Sequence, residues 1–186
     1  MSLTHTSHFQ STAPKCNKTR FPFHFGAVDW KCDVWVNDIK VGSHTGGYTP
    51  FSMDITQALK KKGNVLKVRV WDPTDQGEQP CGKQHVKPHG IWYTPVTGIW
   101  QTVWLEPVNE NHIVDLKIVP DIDNHRVIVK PEITNVSADT KIEVHVYELF
   151  NDIAVDIAEA YSINGEDVEL QMPADAKLWS PDNPYL

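Results

Sequence analysis

The chain has 186 residues, 40% of them apolar and 10% aromatic, with 17 Lys/Arg against 24 Asp/Glu for a formal charge of −7. That length suits two modest domains, each with its own core. The charge divides the same way: residues 1–108 carry 12 basic and 8 acidic side chains, net +4, and residues 109–186 carry 5 and 16, net −11. Phosphate backbones are held by massed Lys/Arg, so an acidic chain whose only basic run is Lys60, Lys61 and Lys62 is not expected to bind nucleic acid. No apolar run approaches the ~20 residues that span a bilayer, so no membrane partner is expected either. Cys16, Cys32 and Cys81 lie far apart without a CxxC pair, which suggests neither a zinc knuckle nor a redox dithiol.

Residues 1–20 are polar and weakly patterned, and no element is expected there. Apolar residues alternate from Asp33 to Val36, and Asn37-Asp38 supplies turn chemistry for a hairpin running on to Val41. Gly46-Gly47 lacks the following helix and lysine of a phosphate cradle, and is read as a bend between strands. A short helical turn follows, capped by Asp54 or Thr56, containing Ala58 and Leu59, and stopped by Gly63. The three lysines are read as its end, facing the negative pole of the peptide dipoles. Leu66, Val68 and Val70 alternate with Lys67 and Arg69, the period of a half-buried strand.

From Asp72 to Gly98 prolines and glycines break all periodicity, and a loop this long inside a domain is functional or disordered. Trp92 and Tyr93 favour order. Ile99 to Leu105 alternates again, but Trp100 and Trp104 make its second face apolar, predicting a strand covered on both sides. Trp35, Trp71, Trp100 and Trp104 are expected to pack in the core or between domains, because aromatics dominate core burial. After Pro107 come five alternating runs, Val114–Ile118, Val127–Val129, Ile142–Val146, Val155–Ile157 and Val168–Met172, at the spacing of a small sandwich.

The runs HFGAVDW (24–30), DVWVN (33–37), GGYTPFSMDIT (46–56) and GIWYTPVTGIWQTVWLEPV (90–108) resemble the sugar-binding jelly-roll domain that opens family 2 glycoside hydrolases, relatives of β-galactosidase and β-glucuronidase. The later strands, with the closing LWSPDNPYL, resemble the immunoglobulin-like domain that follows it. The fold class implied is all-β: a jelly-roll (galactose-binding-like) sandwich over 21–108 after a poorly patterned 1–20 segment, then an immunoglobulin-like sandwich over 109–186. Measured against that family, the first sandwich is expected to lack strands at its N-terminal side and the second its last strand. The unpaired sheet edge so left invites self-association.

Family members place two catalytic glutamates on a β/α barrel. No alternating strand–helix pattern exists here, so no residue is expected to be catalytic and no cofactor or metal is expected. The resemblance implies that the irregular loop forms one wall of a sugar site, through Asp72, Gln79, Lys83, Gln84, Trp92 and Tyr93. Aromatic rings stack on sugar C–H faces, and amides, carboxylates and ammonium groups meet the hydroxyls. Asp72 also reads as a turn residue before proline, and Lys83 and Gln84 as solvated loop residues. Before Trp92 the chain has Gly90-Ile91 where some galactosidases carry an aspartate.

His85 and His89 have the i, i+4 spacing of a helical zinc pair, but Pro88 and Gly90 oppose a helix. Three functions compete: an accessory part of a β-galactosidase-type enzyme whose partner, through the complete enzyme, is a β-linked oligosaccharide; a free-standing carbohydrate-binding module; and a structural β-protein that associates through its edges.

Overall fold

Alternating burial builds the first half of the chain. The computed structural model describes residues 2–10, 19–150 and 153–184, which divide into two units, 1–109 and 110–186. Unit 1 contains β1 (Ser2–Phe9), β2 (Thr19–Arg20), β3 (Pro22–Phe25), β4 (Val28–Asp29), β5 (Lys31–Val36), β6 (Ile39–Thr45), β7 (Phe51–Asp54), β8 (Asn64–Trp71), β9 (Gly98–Ile99), β10 (Val103–Leu105) and β11 (Val108–Asn109). One antiparallel sheet runs β1-β8-β5-β6 and the other β10-β3-β7, with β4-β9 and β11-β2 as short pairs. Cys32, Val34 and Val36 of β5 and Leu66, Val68 and Val70 of β8 meet Phe21, Phe23, Phe25, Met53 and Ile55 in one core, while Lys67 and Arg69 face outward. Phe25 stacks on Phe51 at 4.8 Å and Phe9 meets Phe23 edge-on at 5.4 Å. Burial pushes the Cys32 thiol up to about 11, which disfavours the thiolate near neutral pH.

The β5–β6 hairpin closes through Asn37 and Asp38, both at positive φ (52° and 66°), the requirement of a turn whose twist matches paired strands. The expected helical turn is a 3-10 turn over Thr56–Ala58, with the Asp54 carboxylate accepting the Thr56 N–H at 2.8 Å. Lys60, Lys61 and Lys62 lie beyond it and end no helix: the turn is too short to accumulate a dipole.

Three further expectations change. Ser2–Phe9 is a strand, paired with β8 over eight residues from Ser2↔Trp71 to Phe9↔Asn64, where no element was expected; β1 and β6 are the edge strands of that sheet. The stretch from Ile99 to Leu105 is two short strands, not one covered on both faces. Trp71, Trp100 and Trp104 are 49%, 52% and 44% exposed, and lie on outer faces where an indole N–H keeps access to acceptors. Trp35 is half-buried between the cations of Lys40 and Arg69, 5.9 and 5.4 Å from its ring centre, both of which pair with Asp33.

Unit 2 contains β12 (Ile113–Asp121), β13 (Arg126–Ile133), β14 (Lys141–Phe150), β15 (Ile153–Ile163) and β16 (Val168–Gln171), one strand for each alternating run. The sheet β12-β13-β16 faces the hairpin β14-β15 across Val129, Ile142, Val168 and Leu170. Three of its acidic side chains pair with cations of β13: Asp121 and Glu169 with Arg126, and Asp167 with Lys130. Among the described residues there is no α-helix, and no helix long and apolar enough to cross a membrane.

Candidate functional site

At one end of the unit 1 sandwich, β4, β9 and the bend after β6 enclose a cavity of about 280 Å³ lined by Asp29, Tyr48, Gln84, Val96, Thr97 and Trp100, with Gly98 and Ile99. Asp29 ends β4, pairs with Gly98, and turns its carboxyl toward Gly47. A Cβ at Gly47 would lie 2.6 Å from Asp29 Oδ1, so glycine is what lets the carboxyl occupy that space. The Gly47 carbonyl accepts the Trp100 indole N–H at 2.7 Å, and Tyr48 meets the Trp100 ring edge-on at 5.8 Å. The bend thus fixes an acid, an indole and a phenol around one opening.

The long loop supplies the opposite wall. Gln84 Oε1 accepts the Val96 N–H at 2.5 Å, which leaves its Nε2 to donate to Asp29. Asp72, 3% exposed, accepts from the Thr74 N–H at 2.7 Å and from the Thr97 hydroxyl at 2.8 Å. Both its oxygens are engaged, and Asp72 does not line the cavity.

Of the loop residues singled out in the sequence, Gln84 lines the cavity and Asp72 braces it. Gln79 Nε2 donates to the Thr74 carbonyl at 2.6 Å and closes the turn after Asp72. Tyr93 donates its N–H to the Lys83 carbonyl at 2.7 Å, its own carbonyl accepts from His85 at 3.0 Å, and the Lys83 ammonium lies 6.0 Å from its ring centre. Trp92 packs on His85 at 4.2 Å. Lys83, Trp92 and Tyr93 therefore order the loop against itself, and none of them lines this cavity. His85 is held by Asp75 at 2.7 Å, and its ring lies 6.5 Å from that of His89. Asp29, Tyr48 and Trp100 line the cavity and were not among the residues singled out in the sequence. The available signal was a carboxylate at a strand end together with a Gly-Gly-Tyr bend.

Burial raises the Asp29 carboxyl above the usual carboxylate range, with repulsion from Asp72 adding to it and the Gln84 hydrogen bond opposing. An acid whose folded pKa exceeds its unfolded value contributes stability below the unfolded value and loses it as pH rises through the folded one. Asp29→Asn is therefore expected to melt higher than the parent chain at pH 7 and to match it near pH ~3, below the unfolded value. Thermal melts at the two pH values check this, and an equal gap at both would refute it.

Among the described residues the fold is that of an all-β protein with two sandwich units in tandem. A family model described as glycosyl hydrolase 2 galactose-binding domain-like matches residues 2–100, and one described as glycosyl hydrolases family 2 matches residues 111–186. The chain belongs to glycosyl hydrolase family 2. It is similar to a β-galactosidase of Thermoanaerobacter pseudethanolicus, 31% identical over 88% of this chain and 22% of that protein. It is also similar to a putative β-glucuronidase of Formosa agariphila, 26% identical over 91% of this chain and 20% of the other. The solved β-glucuronidase of Ruminococcus gnavus shares the fold, with a TM-score of 0.71 at 20% identity over 99% of this chain and 30% of that one. The chain thus spans about a fifth of the length of these curated relatives.

Proposed function

We propose that this chain is an accessory N-terminal portion of a β-glycosidase of β-galactosidase type, that it forms one wall of the sugar site, and that it hydrolyses nothing by itself. The observation that carries this reading is the cavity of unit 1. Its aromatic edges, Trp100 and Tyr48, suit the C–H face of a pyranose, while the Asp29 carboxyl and the Gln84 amide suit its hydroxyls. The charge of the lining favours a neutral hexose: Asp29 is its ionisable acid, Asp72 stands behind, and among the described residues no Lys or Arg lines the cavity to meet a uronate. The resemblance to β-galactosidase at 31% identity points the same way. Retaining hydrolysis needs two carboxylates roughly 5–5.5 Å apart on one sugar, and among the described residues Asp29 is the one carboxylate that lines this cavity. Loop residues Lys83 and Tyr93, exposed beside the cavity wall, would meet further sugar units of a β-linked oligosaccharide.

A second reading, a carbohydrate-binding module acting alone, is favoured by one fact: all the lining residues belong to unit 1. One experiment addresses both. Calorimetric titration of the chain with galactose and with glucuronate is expected to show weak, millimolar-range binding of galactose alone, weakened about tenfold in Trp100→Ala. Aryl β-galactosides incubated with the chain should release no phenol. Preference for glucuronate would remove the galactosidase assignment, and release of phenol that survives repurification would remove the accessory role.

A further inference from the structure

We propose that the outer face of the β14–β15 hairpin is a divalent transition-metal site, formed by His145, Asp156 and Glu159, that takes Zn2+ and ties the two strands together. The donors come from both strands: His145 lies opposite Glu159 in the register, and Asp156 opposite Tyr147. Residues 156 and 159 are three apart, a spacing that in a regular strand sends side chains to opposite faces. Between Val146↔Ala158 and Tyr147↔Asp156 the ladder passes over Ile157. This bulge returns Asp156 to the face that carries His145 and Glu159.

The result is convergence. His145 Nδ1 lies 2.9 Å from Asp156 Oδ2 and 3.7 Å from Glu159 Oε2, and the three donor atoms fall within 4.8 Å of one another. Ligands at roughly 2.0–2.2 Å from a tetrahedral ion sit roughly 3.3–3.6 Å apart, so small rotamer changes in these exposed side chains would seat one. An imidazole among the donors selects zinc and its neighbours over magnesium or calcium, which prefer oxygen alone. Beside the triad, Lys141, Glu143, Ala160 and Tyr161 help bound a surface cavity of about 520 Å³ with room for water to complete the shell. Lys141, the cation of this face, is held by Glu143 and lies 4.9 Å from the Tyr161 ring centre. A two-stranded ribbon is marginal alone, and a metal bridging its strands would stiffen it. The inference is independent of the sugar-site reading, since every donor belongs to unit 2.

The test is calorimetric titration of the whole chain, stripped with chelator, with zinc chloride. One ion per chain is expected, with a dissociation constant on the order of 10 µM. His145→Gln, Asp156→Asn and Glu159→Gln are each expected to weaken binding at least about tenfold, whereas His85→Gln should leave it unchanged. All three ligands are exposed, so the variants should keep the parent's circular dichroism and isolate binding from folding. Magnesium and calcium should give no comparable heat. Unchanged affinity in all three variants, no binding up to about 1 mM zinc, or equal binding of calcium would each overturn the site.

Discussion

Asn64→Ala is expected to destabilise unit 1 by about 3 kcal/mol and to lower its melting temperature by roughly 12–15 °C. Asn64 is fully buried at the start of β8. Its Oδ1 accepts the Lys60 N–H and the Asn37 side-chain amide, both at 2.8 Å, and its Nδ2 donates to the Lys60 carbonyl at 3.1 Å. Asn37 in turn donates to the Ala58 carbonyl at 2.7 Å and accepts the Val65 N–H at 3.0 Å. Two amides thus knit the β5–β6 turn, the segment after the 3-10 turn and the first residues of β8. Alanine removes one of them and leaves the Lys60 N–H and carbonyl without these partners, and each group left unsatisfied costs about 1–3 kcal/mol. Chemical denaturation of Asn64→Ala beside Lys67→Ala checks this. The exposed Lys67–Asp38 pair at 3.4 Å should change stability by less than about 0.5 kcal/mol when broken. A loss under about 1 kcal/mol at Asn64 would mean that water replaces the amide.

Where burial falls on alternate residues, the sequence announces the strand. Leu66, Val68 and Val70, the Asn37-Asp38 turn and the five runs of unit 2 were legible for that reason. Ser2–Phe9 was not, because Leu3 and Phe9 are its only apolar residues; what makes it a strand is the backbone ladder offered by β8, which no local pattern records. The tryptophans illustrate a second limit. Ring area argues for the core, but an indole N–H needs an acceptor, and Trp100 finds its own at Gly47, 53 residues away. The candidate site failed to show for the same reason. Asp29, Gly47, Gln84 and Trp100 lie in four separate stretches, and only Gln84 fell within the loop whose irregularity marked it. The family resemblance pointed to that loop. It did not point to the bend that faces it.

Gly47→Ala tests whether this convergence is the site. The added Cβ would lie 2.6 Å from Asp29 Oδ1 and 3.1 Å from Cγ, distances at which something must move. Asp29 has a short side chain anchored by β4 pairing and by Gln84, so its carboxyl cannot swing clear without losing the amide contact. If the bend moves instead, the Gly47 carbonyl leaves the Trp100 indole. Either relaxation costs about 2 kcal/mol, the usual range for overpacking, and either separates the acid from the aromatic wall. Galactose binding should therefore fall to background in Gly47→Ala, while Gly63→Ala, whose added Cβ would meet nothing within 4 Å beyond its chain neighbours, should retain binding and lose stability only through its positive φ. The double variant Gly47→Ala/Asp29→Ser, which shortens the obstructing acid, should recover most of the lost stability and none of the binding. Binding that survived in Gly47→Ala would show that the carboxyl at this position is not what the sugar meets, and the proposed wall would have to be sought instead at Lys83 and Tyr93.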